Sequence, residues 1–270
     1  MAKRICVYFT CIVFSYIFIG CGIGKTHVDQ DKPQEIIVFA AASLTESFTE
    51  LGAEFEGLEN GRAKVVFNFA GSQVLKTSVE NGVKADIFAS ANTRYINELK
   101  EKGYLNKYSI FAKNKLVLIK NSSSSYSVKK LGDLAADGMK IAVGDKSVPV
   151  GMYWEQVVEE ALGNGEMDDE EKSRIESNIK TIELNVKDVV GKVVLNEVDV
   201  GIVYRTDITR ALSGKIEYIS LPVFERFSSD YPAAVLKDSE SNTEALKFFN
   251  FLLSDRGKEI LKKHNFITDD

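Results

Sequence analysis

IIVFAAASL, residues 36–44, decides the reading of this chain. A continuous apolar, β-branched run ends on three alanines and a serine. Leu44, Phe48, Leu51 and Phe55 then recur at helical spacing, and Gly57 and Gly61 stand where that helix should stop. An apolar run without alternation reads as a strand buried on both faces of a parallel sheet. A serine where such a strand meets a helix stands beside the first helical N–H groups. Those groups lack intrahelical acceptors, and the helix dipole favours negative charge near them. Taken singly, a serine at a helix start is more often an ordinary cap.

Working outward, the pattern repeats. Lys64–Phe69 reads as a strand, and Ala70-Gly71-Ser72 turns into a short helix carrying Val74, Leu75 and Val79. DIFAS at 86–90 is a strand, followed by a helix over Tyr95, Ile96 and Leu99 that closes at Gly103. After the strand Lys115–Ile119 comes the serine-rich loop Asn121–Ser127, then a short helix over Lys129–Ala136. KIAVG at 140–144 is a strand, and Asp145–Val150 a loop. A helix follows with Trp154, Val157, Val158, Ala161 and Leu162 on one face. Gly163–Asn178 is acidic surface, irregular or helical, before the strand Ile179–Leu184. Val186, Val189, Val190, Val193 and Val194 fall at spacings of three and four. Valine is a poor helix former, but that spacing is helical, so the stretch is read as a helix. Strands follow at Val200–Arg205, Ile216–Ile219 and Tyr231–Leu236. Two amphipathic helices end the chain, the first with Ser241 or Asn242 as its cap. Strand–helix alternation of this kind gives an α/β fold. The division expected is two lobes facing across a cleft, 36–114 with 231–270 and 115–230.

Composition bounds the function. The 270 residues are 44% apolar and 27% charged with a net charge of −5, which disfavours nucleic acid. Lys3 and Arg4 precede a charge-free run from Ile5 to Gly20, the form of a signal peptide over residues 1–20. It ends Phe18-Ile19-Gly20-Cys21, which resembles a bacterial lipobox. That resemblance implies lipidation at Cys21, a membrane-anchored extracytoplasmic protein and a polar tether over 21–35. The alternative is an ordinary signal peptide with a chance cysteine. The other two cysteines, Cys6 and Cys11, lie before Cys21, so no disulfide framework is expected beyond it. The two histidines, His27 and His264, and the absence of a nucleophile elbow or P-loop motif argue against an enzyme.

Four strand-to-helix junctions lie at strand carboxyl ends, where open α/β sheets bind ligands. They are Ser43, Ser72, Val150-Gly151 and Asn185-Val186. Two fall in each expected lobe, and together they are read as converging on one oxyanion. AAASL (40–44), FAGSQ (69–73), KADIFASAN (84–92), AVGDKSVPVG (142–151), LNV (184–186), DVGIVYRTD (199–207) and DYPAAV (230–235) occur in that order. In this the chain resembles the molybdate-binding proteins of ABC transporters, over about Ile36 to Ile267.

The resemblance implies a type II periplasmic-binding-protein fold and a tetrahedral oxyanion, molybdate or tungstate, held by neutral donors. Ser43 and Ser72 match the serines that give hydroxyl and backbone N–H, Val150 and Val186 the backbone donors, and Tyr204 the hydroxyl that completes the shell. Val150 stands where the family usually has Ala, and Leu184-Asn185-Val186 where many members have Glu-Asn-Val. The resemblance further implies a membrane permease as partner and a monomer without cofactor. Donors without an acceptor should refuse a protonated anion such as hydrogen phosphate, and size should separate molybdate from sulfate. A same-fold receptor for another oxyanion such as sulfate, or a ligand-sensing regulatory domain, are the alternatives.

Overall fold

The computed structural model describes residues 32–269. The signal-peptide and Cys21 expectations lie outside the described residues, as does most of the tether. The first half-sheet is built from β1 (Gln34–Ala41), α1 (Thr45–Leu58), β2 (Ala63–Ala70), α2 (Ser72–Glu80), β3 (Ile87–Ala89), α3 (Thr93–Glu101) and β4 (Ser109–Asn114). The chain then crosses to β5 (Leu116–Asn121), β6 (Ile141–Gly144), α4 (Pro149–Gly163), α5 (Asp169–Asn178), β7 (Ile179–Glu183), α6 (Val186–Val194), β8 (Val200–Tyr204), β9 (Ile216–Ile219) and α7 (Pro222–Glu225). It returns as β10 (Ser229–Val235), followed by α8 (Thr243–Leu253) and α9 (Asp255–Lys263).

Two five-stranded sheets result, ordered β2-β1-β3-β10-β4 and β7-β6-β8-β5-β9. Both are mixed. β1 pairs parallel with β2 and β3, whereas β10 is antiparallel to β3 and β4. In the second sheet β6 pairs parallel with β7 and β8, and β5 is antiparallel to β8 and β9. The apolar β1 run is buried because its sheet is covered on both faces. Phe48, Leu51 and Phe55 of α1 pack on one, and Phe39 and Phe88 meet Leu75, Ile96 and Leu99 of α2 and α3 on the other.

The valine-rich stretch is helical despite its residue type. Asn185 caps it by accepting the Asp188 N–H at 3.0 Å, and Val186, Val189, Val190 and Val193 are buried. Burial against the sheet outweighs propensity. The acidic stretch left open between irregular and helical contains α5, started by a reciprocal capping box between Asp168 and Glu171. Asn242, not Ser241, caps α8 by accepting the Ala245 N–H.

Three differences from the expected elements have physical reasons. β1 starts at Gln34, two residues early, because the β2 edge extends its register to Gln34–Ala63. The Lys129–Ala136 helix shrinks to a 3-10 turn at Leu131–Ala135, too short a span for α-helical bonding to persist. β4 has no counterpart in the sequence reading. Its exposed Ile110 and interleaved polar residues hide the pattern, and its pairing with β10 creates the strand.

β10 carries Pro232 between two neighbours, where a missing N–H would break the ladder. The register against β4 shifts between Tyr231 and Pro232, a bulge that absorbs the proline. Bulges also re-aim side chains, and Tyr231 is fully buried beside it.

Candidate functional site

Four helix starts meet at one cavity of about 10 Å³, about the least that holds one water molecule. Its lining includes Ser43, Ser72, Val150, Val186 and Tyr204, so the structure brings together all five residues named from sequence. No charged side chain lines it.

Neither serine caps a helix. Ser43 sits in a 3-10 turn, Ala42–Leu44, that joins β1 to α1 without a side-chain cap. Ser72 is the first residue of α2, after Gly71, and its Oγ accepts the Ala91 N–H at 3.1 Å. Val150 follows Pro149 at the start of α4, where proline is favoured because the N–H it lacks would have no helical acceptor. Val186 is the first residue of α6. The backbone N–H groups of Ser72, Val150 and Val186 therefore belong to first turns that cannot satisfy them internally. Asn185 also lines the cavity, but its side chain is taken up by Asp188.

Tyr204 ends β8 with its ring 1% exposed. Its Oη has no hydrogen-bond partner among the described residues. Ser229, whose own proton goes to the Ala91 carbonyl, stands nearby with lone pairs to spare but outside hydrogen-bond geometry. Burial pushes the Tyr204 phenol well above the usual tyrosine range, and Tyr231, Tyr153 and Asp207 add to that. The group is a neutral donor without a hydrogen-bond partner among the described residues, beside helix first turns whose N–H groups lack helical acceptors. A buried donor left unpaired costs about 1–3 kcal/mol, which a bound acceptor would recover.

Sequence reasoning missed the residues behind these. Ser43 Oγ lies 2.8 Å from Tyr231 Oη, which lies 3.2 Å from Asn114 Nδ2. Tyr231 occurs within DYPAAV, a stretch singled out without a role for the tyrosine, and Asn114 carried no local signal. Lys187, next to Val186, bonds Glu46 of α1 and pairs with Asp207 Oδ1 at 3.0 Å. Asp207 in turn accepts the Tyr204 N–H at 3.0 Å. Burial works against the Lys187 charge, but Asp207 and Glu46 outweigh it and hold the ammonium above the ordinary lysine range.

Comparison with known proteins adds four findings. Residues 36–267 match the family described as bacterial extracellular solute-binding protein. The molybdate-binding protein ModA of Mycobacterium tuberculosis is 31% identical over 253 residues, covering 92% of each chain. A putative ABC transporter substrate-binding lipoprotein of Bacillus subtilis, YvgL, is 25% identical across 100% of both. Among solved structures, the substrate-binding domain of a putative molybdenum ABC transporter from Clostridium difficile superposes with a TM-score of 0.62. It is 30% identical, over 87% of this chain and 99% of that one.

Proposed function

The chain belongs to the bacterial extracellular solute-binding proteins, and on that premise we propose that it captures molybdate between two lobes and delivers it to an ABC permease. The lobes in this reading are residues 36–114 with 231–270 and residues 115–230, and the two sheets support that division except that β10 of the first sheet begins at Ser229, two residues before the boundary. Ser43 and Ser72 come from one lobe, and Val150, Val186 and Tyr204 from the other. The observation that carries the reading is the Tyr204 hydroxyl. It is buried, unpartnered and part of the lining of a cavity without any charged side chain.

The chemistry follows from neutral donors. Each hydrogen bond to a charged group contributes roughly 1.5–3 kcal/mol, so five or more of them offset the desolvation of a dianion. A cationic site would bind any anion at hand. Dipoles fixed in a small cavity instead select by size and by the number of acceptor oxygens. Tungstate matches molybdate in both respects and is taken as well. The lipoprotein relative and the Phe18-Ile19-Gly20-Cys21 sequence support a lipid anchor at Cys21, which would hold a monomeric receptor at the outer face of the membrane beside its permease.

Calorimetric titration of the protein with molybdate, tungstate, sulfate and hydrogen phosphate tests this. One-to-one binding of the first two alone is expected. Equal heat from sulfate would make it a general oxyanion receptor, and no heat from any of the four would remove the ligand assignment.

A further inference from the structure

A serine hydroxyl is not a donor by nature. It carries one proton and two lone pairs, and what decides its direction is the partner on its far side. At Ser43 that partner chain starts with Asn114. The Asn114 Oδ1 accepts the Lys115 N–H at 2.9 Å, which turns the amide NH2 the other way. There Nδ2 donates to Thr206 Oγ1 at 2.8 Å and to Tyr231 Oη at 3.2 Å. Tyr231 thus accepts from Asn114, and its own proton goes to its other partner, Ser43 Oγ, at 2.8 Å. The opposite order would strand the phenol proton in a ring that is 0% exposed, and a buried unpaired donor is costly. Ser43, itself 3% exposed, therefore accepts from Tyr231 and keeps its own proton for the cavity it lines.

The same logic holds across the site. Ser72 accepts the Ala91 N–H, so its proton is also free for the cavity. Tyr204 has no partner among the described residues. All three hydroxyls can present protons to the cavity, with Ser43 and Ser72 each spending one of two lone pairs on a donor of the protein.

We infer that Asn114 and Tyr231 are positioning residues that fix the proton order Asn114 to Tyr231 to Ser43 to cavity, and so make the site selective for an oxyanion carrying no proton of its own. The selectivity rests on the oxyanion reading above, whereas the proton order does not. Molybdate and sulfate present bare oxygens to these donors. Hydrogen phosphate brings one O–H that needs an acceptor, and Ser43, with one lone pair held by Tyr231, can offer the other only by turning its own proton off the anion, where no further partner among the described residues receives it.

Two measurements test the inference. Neutron diffraction from deuterium-exchanged crystals locates the deuterons directly. The expected result is one between Tyr231 Oη and Ser43 Oγ belonging to the tyrosine, with the Ser43 deuteron facing the cavity. The reverse order overturns the inference whatever the protein binds. The second measurement is titration of wild type, Tyr231→Phe and Tyr231→Phe/Ser43→Ala with molybdate and hydrogen phosphate at neutral pH. Loss of one oriented charge-assisted donor should weaken molybdate about tenfold in Tyr231→Phe. The freed Ser43 should meanwhile let hydrogen phosphate gain, so the preference ratio falls by more than that, and the double variant should lose the gain. A purely structural Tyr231 would weaken both anions alike and leave the ratio unchanged, which overturns the selectivity. Wild type taking neither anion, with the deuterons in the stated order, would remove the oxyanion reading and its selectivity while the proton order stands.

Discussion

Glu46 of α1 and Lys187 of α6 join helices from the two sheets, with Lys187 Nζ 2.7 Å from Oε2 and 2.9 Å from Oε1. Glu46 lies three residues after Ser43, and Lys187 directly follows Val186. The ammonium also reaches Asp207, three residues after Tyr204. One cation thus ties together the segments that carry three of the five cavity residues.

Glu46→Gln should loosen that tie without disturbing either sheet. Both side chains keep some contact with solvent, so the pair is worth roughly 0.2–1 kcal/mol, or up to about fivefold in molybdate affinity. The difference from wild type should shrink as salt rises, because the pair is partly screened. Titrations at low and high ionic strength check this, and an unchanged affinity at low salt would mean the pair is idle.

Gly71→Ala addresses the fit between the two sheets. A methyl there would stand 2.4 Å from the Leu184 carbonyl oxygen, just after β7 of the second sheet, and 2.6 Å from the Gln73 side chain, which can turn away. The Gly71 backbone, at φ −59 and ψ 138, accommodates alanine, so its own sheet should fold normally. The expected result is wild-type secondary structure and melting without ligand, together with a loss of molybdate binding. Small-angle scattering should show no contraction of the variant on adding molybdate. A variant that still contracts would show that Leu184 yields.

Tyr204→Phe and Ser72→Ala separate two kinds of donor. Removing the unpartnered Tyr204 hydroxyl should leave the melting temperature without ligand unchanged or higher, because it deletes an unsatisfied buried donor. Ser72→Ala strips the Ala91 N–H of its acceptor and should lower it. Both should weaken molybdate binding about tenfold or more. Since burial holds the Tyr204 phenol well above its ordinary range, wild-type affinity should stay flat between about pH 7 and about pH 9. A fall in that window would indicate ionisation of a cavity group.

Glu50→Gln reports on stability in acid. The Lys263 ammonium, bonded at 2.7 Å, holds the Glu50 carboxyl below the usual range against the pull of burial, and His264 assists. A carboxyl depressed in the folded state contributes stability that is present above its unfolded value near 4.5. That contribution is lost as pH falls through the folded value. Wild type should therefore exceed Glu50→Gln in urea resistance near neutrality and converge with it in acid. A constant gap at all pH values would assign the effect to packing.

Much of this architecture was readable because burial leaves a local trace. The apolar runs ending at Ser43, Gly144 and Tyr204 mark strands covered on both faces. The helix starts that follow them are marked by Pro149, Asn185 and the glycine before Ser72. What sequence hid was long-range. Tyr231 is 188 residues from Ser43 and 117 from Asn114, and no spacing announces that their polar atoms touch. β4 was hidden for a related reason, since pairing with β10 and not its own pattern makes it a strand. The Asp168-x-x-Glu171 box was a local signal for α5, though the acidic residues around it read equally as solvated loop.

The chain passes between the sheets at Asn114-Lys115-Leu116 and again before Ser229, and Asn114 and Ser229 are Cα partners in the β4–β10 ladder. The two passages thus stand side by side at one rung of that ladder. Under the proposed capture between lobes, the two halves of the anion shell would turn about that one line and could not slide past each other, so a substitution at either Asn114 or Ser229 would be felt in both halves.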